Sequence, residues 1–224
     1  MRREIDINEI TKDKLMDSDD LAKVGCNDCE GCSRCCAGMG NSIVLDPYDV
    51  MMLTSNLGCD FPSLLSDKLQ LNVVDGIILP NIAMAAGPDD ACFFLNEQGR
   101  CSIHSFRPGI CRLFPLGRIY EDGSFKYFLQ SGECVMKNRT KVRIKNFLGI
   151  EDLKSYEAFV VQWHYFLNDV EAWIVKIQAH ENGAELTKGI NMWILNTFYI
   201  TPFRRENFYE EITRRIALTR EKLI

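Results

Sequence analysis

Apolar residues recur at three- and four-residue steps through the last third of the chain. Tyr156, Phe159, Val160, Trp163, Phe166, Leu167, Val170, Ile174 and Ile177 fall on one face of a single long amphipathic helix. Ala184 to Phe198 predicts a second helix, Pro202 breaks the chain, and Phe208, Ile212, Ile216 and Leu223 mark a last one. Upstream, Asp46-Pro47 reads as an N-cap followed by proline in the first turn, opening a helix that ends near Gly58. A short helical turn follows within Asp60 to Gln70.

The pattern between these helices has a period of two. Leu71-Asn72-Val73-Val74 and Ile77-Ile78-Leu79 flank Asp75-Gly76, a strong hairpin signal. A second hairpin-like unit pairs Cys92–Leu95 with Cys101–His104 across the turn residues 96–100, which places Cys92 and Cys101 at the starts of facing strands. A third joins Leu116–Tyr120 to Phe125–Leu129. Pro108 suits the first turn of a short helix. Lys137, Arg139, Lys141, Arg143 and Lys145 interleave with Val142, Ile144, Phe147 and Leu148. This stretch reads as the start of a helix with a solvated face, or as a docking surface for an acidic partner.

The expected fold is therefore α+β: small antiparallel hairpins and cysteine-rich loops around a metal centre, closed by C-terminal helices. Residues 1–25 are read as an arm, with at most a short helix. Residues 26–150 are read as the cysteine-cluster domain, and 151–224 as a helical segment packed on it.

Composition sharpens this picture at one point. The 224 residues carry ten cysteines, at 26, 29, 32, 35, 36, 59, 92, 101, 111 and 134. The Met1-Arg2-Arg3 start lacks an apolar segment behind it, so the expected compartment is the cytoplasm, where thiols stay reduced. No apolar stretch approaches the roughly 18 residues of a membrane span, and no membrane association is expected. The net charge of −5, with −6 already in residues 1–60, argues against nucleic-acid binding. A protein substrate or a protein partner remains.

Five cysteines fall within eleven residues, Cys26-x2-Cys29-x2-Cys32-x2-Cys35-Cys36. Neighbours this close cannot readily form disulfides with one another. Cys26, Cys29, Cys32 and Cys36 reproduce the C-x2-C-x2-C-x3-C run that bacterial ferredoxins use for iron–sulfur clusters, with Ala37 where proline usually follows. Cys29, Cys32, Cys35 and Cys36 form an overlapping set. The two-residue spacer lets thiolates converge from one turn, with backbone N–H groups facing the sulfurs. Four thiolates also suit zinc. Cys59 follows a helix end without partner spacing and reads as a small buried hydrophobe; Cys26 stays open. Arg107 and Arg112 flank Cys111, and their guanidinium groups could offset the charge of a thiolate cluster or its cofactor. His104 reads as a ligand or as an edge-strand polar residue. His164 and His180 read as structural members of the long helix.

The ordered run Cys29-x2-Cys32-x2-Cys35-Cys36, then Cys92-Phe93-Phe94-Leu95, then Gly99-Arg100-Cys101-Ser102-Ile103-His104-x2-Arg107-Pro108-x2-Cys111-Arg112-Leu113-Phe114-Pro115 resembles the YkgJ-type cysteine-cluster family. That family is described as a zinc- or iron-chelating domain, and flagellin lysine N-methylase is its enzymatic member. The resemblance spans roughly residues 26–150. It implies a metal centre held by Cys29, Cys32, Cys35, Cys36, Cys92, Cys101, Cys111 and Cys134. The implied centre is an iron–sulfur cluster of the four-iron, four-sulfur kind, with zinc as the alternative. It further implies S-adenosylmethionine as a candidate cofactor and protein-lysine methyl transfer as a candidate activity, against a non-catalytic module for structure, electron transfer or partner binding. No phosphate-binding G-x-x-x-x-G-K, dinucleotide G-x-G-x-x-G, or nucleophile G-x-S-x-G stands in the sequence.

Overall fold

The computed structural model describes residues 15–26, 32–85, 90–130 and 132–223. Three two-stranded antiparallel sheets and seven α-helices alternate along them, an α+β arrangement. The strands are β1 (Leu21–Gly25), β2 (Leu69–Val74), β3 (Ile77–Ile82), β4 (Leu116–Glu121), β5 (Ser124–Leu129) and β6 (Thr140–Arg143). The helices are α1 (Pro47–Leu57), α2 (Phe61–Leu64), α3 (Gly109–Leu113), α4 (Ile144–Leu148), α5 (Leu153–Gln178), α6 (Gly183–Leu195) and α7 (Phe208–Leu223).

Local chemistry explains the boundaries. Asp46 accepts from the Asp49 N–H at 2.8 Å and Asp49 accepts from the Asp46 N–H at 3.3 Å, a reciprocal capping box that starts α1. Gly58, at φ 66°, ends it in the left-handed region. Asp75-Gly76 and Asp122-Gly123 all have positive φ, the two-residue turn geometry that matches strand twist. Both hairpins close in register, Val74 opposite Ile77 and Glu121 opposite Ser124.

Three expectations need correction. Residues 137–145 do not open as a helix: β6 pairs with β1, Leu21 opposite Arg143 and Ala22 opposite Val142, before α4 begins. The alternation of Lys141 and Arg143 with Val142 is a strand period, and only the distant partner strand reveals it. Residues 21–25 of the expected arm accordingly form a strand, and Met16 bridges to Tyr127. The helix expected from Ala184 to Phe198 gives way at Leu195 to a π-helical turn, Asn196–Ile200.

That π turn leaves carbonyls unsatisfied by the helix, and a buried guanidinium takes them up. Arg215 on α7 donates to the carbonyls of Thr197 (2.6 Å), Thr201 (2.8 Å) and Pro202 (2.9 Å). It also pairs with Glu211 at 2.8 Å and lies over the Phe203 ring. Asn191 on α6 similarly grips the first hairpin, accepting from the Ile78 N–H at 2.6 Å and donating to the Gly76 carbonyl at 3.2 Å.

Two apolar clusters result. The larger packs α1, α2 and the β2–β3 hairpin against α5, α6 and α7, and contains the predicted stripe from Tyr156 to Ile174. The smaller joins Met16, Ala22 and Val24 to Leu113, Leu116, Tyr127, Ile144 and Leu148. Ile150 and Leu153 touch both. Among the described residues, no helix is long and apolar enough to cross a membrane.

Phe166 is fully buried between Trp163 and Phe198. Phe166→Ala should lower unfolding free energy by about 3–5 kcal/mol in urea titration. A loss below about 1 kcal/mol would show that the long helix does not anchor the core.

Candidate metal centre

Two segments far apart in sequence meet edge to edge. Cys35 and Cys36 lie in a 3-10 turn, Arg34–Cys36, closed by the Cys36 N–H donating to the Ser33 carbonyl at 2.8 Å. The chain then extends and pairs Ala37 with Ala91. The Cys92 N–H donates to the Cys36 carbonyl at 2.7 Å, and the Gly38 N–H to the Asp90 carbonyl at 2.9 Å. This contact sets the two cysteine-bearing segments side by side.

The second segment forms the expected hairpin-like unit in shortened form: the Asn96 N–H donates to the Arg100 carbonyl at 2.9 Å and the Ser102 N–H to the Phe94 carbonyl at 2.8 Å, without extended strands. Cys92 bridges to Met84, on the continuation of β3, and Leu95 bridges to Cys101. Between them the Asn96 side chain accepts from the N–H groups of Gln98 (3.1 Å) and Arg100 (2.8 Å), holding a loop whose turn needs Gly99 at φ 68°. The Asn96 side chain thus caps its own loop at the end of this short antiparallel pairing. His104 sits in a 3-10 turn, His104–Phe106, instead of on an edge strand, and its Nε2 meets Arg107 Nη1.

Cys111 rides on α3, which is tied to α1 by the Gly109 N–H donating to the Asp49 carboxylate at 2.7 Å. A Cβ at residue 109 would run into the Tyr156 hydroxyl, so this approach requires glycine.

Cys35, Cys36, Cys92, Cys101 and Cys111 interact electrostatically as one group. The Cys36 thiol hydrogen-bonds Cys35 and lowers it to about 6, while the same bond raises Cys36. Burial raises Cys92, Cys101 and Cys111, and neighbouring thiolates add to the rise. The Phe94 N–H on Cys92 and the Ile103 N–H on Cys101 act in the opposite direction, stabilising thiolate. Arg107 favours the charged forms of Cys35 and Cys101.

A cavity of about 1660 Å³ opens on this group. Cys26, Cys32, Cys35, Cys36, Cys92, Cys101, Cys111 and Cys134 all line it, together with His104 and Arg107. Of the predicted ligands, Cys29 lies outside the described residues. Cys59 packs against the larger apolar cluster and does not line the cavity. Arg112 does not line the cavity. It donates to the carbonyls of Leu148 (3.2 Å) and Ser105 (2.9 Å), tying α3 to the end of α4. His164 stacks on Tyr120 at 3.7 Å and borders the cavity. His180 lies in the turn beyond α5, not within it. Among the described residues, no three His, Cys, Asp or Glu side chains are drawn tightly enough to hold a metal ion as they stand. The donor set nevertheless fits a thiophilic centre: sulfur from three chain segments, amide N–H groups on two sulfurs, and a guanidinium beside them.

Sequence reasoning passed over the cavity's other polar residues. Asp46 was legible only as a cap, and Asp49 and Tyr156 only as helix residues. Arg118 had a signal, because alternation along β4 puts it on the same face as buried Leu116 and as Tyr120.

Residues 28–146 match the family model described as CxxCxxCC, a putative zinc- or iron-chelating domain. No curated protein and no solved structure matches the chain. With more than half its length matched, the chain belongs to this zinc- or iron-chelating family.

In reduced, metal-free protein, iodoacetamide at neutral pH should alkylate Cys35 first. Cys36→Ala should move the pH midpoint of that reaction upward from about 6. Mass spectrometry reads both, and an unchanged midpoint would remove the Cys36 hydrogen bond as cause. Burial raises Asp49 well above the usual carboxylate range. The folded state therefore holds a proton that the unfolded state has already lost, and stability falls as pH rises above the unfolded value near 3.8. Asp49→Asn should gain stability relative to the parent as pH rises from there toward neutrality. Parallel stability–pH curves for the two proteins would contradict this.

Proposed function

We propose that the chain holds a metal centre through cysteine thiolates, drawn from Cys29, Cys32, Cys35, Cys36, Cys92, Cys101, Cys111 and Cys134, and that the centre is an iron–sulfur cluster. One observation carries the reading: five thiols from three segments converge on one cavity, where the readily ionised Cys35 makes ionisation of the other four less favourable. Thiols so placed give up their protons together only where a bound cation stabilises the thiolates. The ferredoxin-like spacing and the N–H donors to sulfur favour iron–sulfur over zinc. Arg107 would temper the cluster's negative charge. When bound, the cluster would supply electron-transfer or Lewis-acid chemistry, while the chain's residues position it and shield it.

A catalytic form of this reading, methyl transfer from S-adenosylmethionine to protein lysine, draws support from the cavity beside the cysteines, which is large enough for a cofactor of that size. Saturable binding of S-adenosylmethionine by metal-loaded protein is its test, and absence of binding discards it.

Anaerobically purified protein should be brown, with iron matched by acid-labile sulfide. Colourless protein carrying stoichiometric zinc after iron-replete expression would replace iron–sulfur by zinc. Protein binding neither metal would overturn the centre. Cys92→Ser and Cys101→Ser should each sharply reduce metal content, whereas Cys59→Ser should leave it unchanged. Chelation should lower the melting temperature, because site and loops form together.

A further inference from the structure

The same cavity holds polar groups that the cysteine centre does not use. Arg118 and Tyr156 both line it. The Nε and Nη2 of Arg118 are buried without a hydrogen-bond partner, and so is the Tyr156 hydroxyl. Aromatic rings surround the guanidinium, Phe125 at 5.2 Å, Tyr156 at 5.7 Å and Tyr127 at 5.9 Å from their centroids. Such contacts, and the nearby hydroxyls of Tyr120, Tyr127 and Tyr156, attract the cation, but Nε and Nη2 keep no acceptor at hydrogen-bond geometry. Buried donors of this kind are rare in folded proteins and point to an absent acceptor.

We propose that Arg118 and Tyr156 bind the carboxylate of a small molecule within the cavity that opens on the cysteines. A planar carboxylate offers two acceptor oxygens, matching a guanidinium edge and one hydroxyl. Burial raises Tyr156 well above the usual phenol range, so it stays protonated and remains a donor. The Tyr156 hydroxyl lies against Gly109, two residues from Cys111, so the bound carboxylate end sits close to the cysteine group. Asp46 and Asp49 also line this cavity. Burial keeps Asp49 protonated, while the Asp46 carboxylate makes the surroundings unfavourable to a doubly charged phosphate. Tyr120 and Trp163 add aromatic wall, which favours a ligand with an apolar or planar body.

Calorimetric titration of the full, metal-loaded chain with benzoate tests this, with inorganic phosphate and benzylammonium as parallel probes. Metal is assayed on each sample, so loss of the centre and loss of the carboxylate site read separately. Benzoate should bind saturably. Arg118→Gln should weaken it by about tenfold or more, and Tyr156→Phe by several-fold. Asp46 acts electrostatically on Arg118. Asp46→Asn, which keeps a competent helix cap, should therefore tighten benzoate several-fold, and this holds even if Arg118→Gln fails to fold. Absence of saturable benzoate binding, preference for phosphate or benzylammonium, benzoate affinity unchanged in Arg118→Gln, or weakened binding in Asp46→Asn would each overturn the proposal.

Discussion

The backbone contact between Ala37 and Ala91 is the constraint on which the cysteine site depends. The Cys92 N–H on the Cys36 carbonyl and the Gly38 N–H on the Asp90 carbonyl join segments more than fifty residues apart. Closing a loop of that size costs entropy that two hydrogen bonds cannot offset alone. The rest comes from what the loop contains. Helix α1 and the β2–β3 hairpin pack into the larger apolar cluster, and Met84 hands the end of β3 directly to Cys92. The cysteines are thus positioned by an apolar scaffold against which Cys92, Cys101 and Cys111 themselves pack.

The second anchoring point is α3. Its five residues make too short a helix to hold a position by themselves. Three neighbours fix it: Asp49 from α1, the Tyr156 hydroxyl from α5, and Arg112 reaching the last carbonyl of α4. Cys111 is therefore registered against both apolar clusters at once. Arg112, placed by sequence logic beside a cofactor, serves this bracing role instead, while Arg107 faces the thiols.

How much of this was legible follows from the range of the interactions. Helix α1, the two Asp-Gly hairpins and the stripe on α5 are encoded locally, in caps, turn residues and periodicity, and the sequence displays them. The β1–β6 pair was not legible, because Lys141 and Arg143 mimic a solvated helix face until Leu21, Ala22 and Lys23 supply the partner. The turn at 96–100 was legible, but not how short its flanks are: Leu95 and Cys101 form a single bridge, and the Asn96 side chain holds the turn. For the site, the clustered spacing together with the family resemblance picked out Cys32, Cys35, Cys36, Cys92, Cys101, Cys111 and Cys134, which line the cavity, and left Cys26 open. It could not show that Cys35 and Cys36 share a proton, nor that Arg118 borders the same space, since both depend on tertiary proximity.

The elevated thiols carry a last consequence. Cys92, Cys101 and Cys111 hold their protons more tightly than free cysteine does, through burial and mutual repulsion. A metal bound by these sulfurs must expel those protons, so capture is an exchange of one cation for several. Occupancy then becomes a steep function of acidity: a modest drop in pH favours release out of proportion to any single thiol, and loading acidifies an unbuffered solution. The burial that shields the centre thereby also couples metal retention to the proton balance of its surroundings.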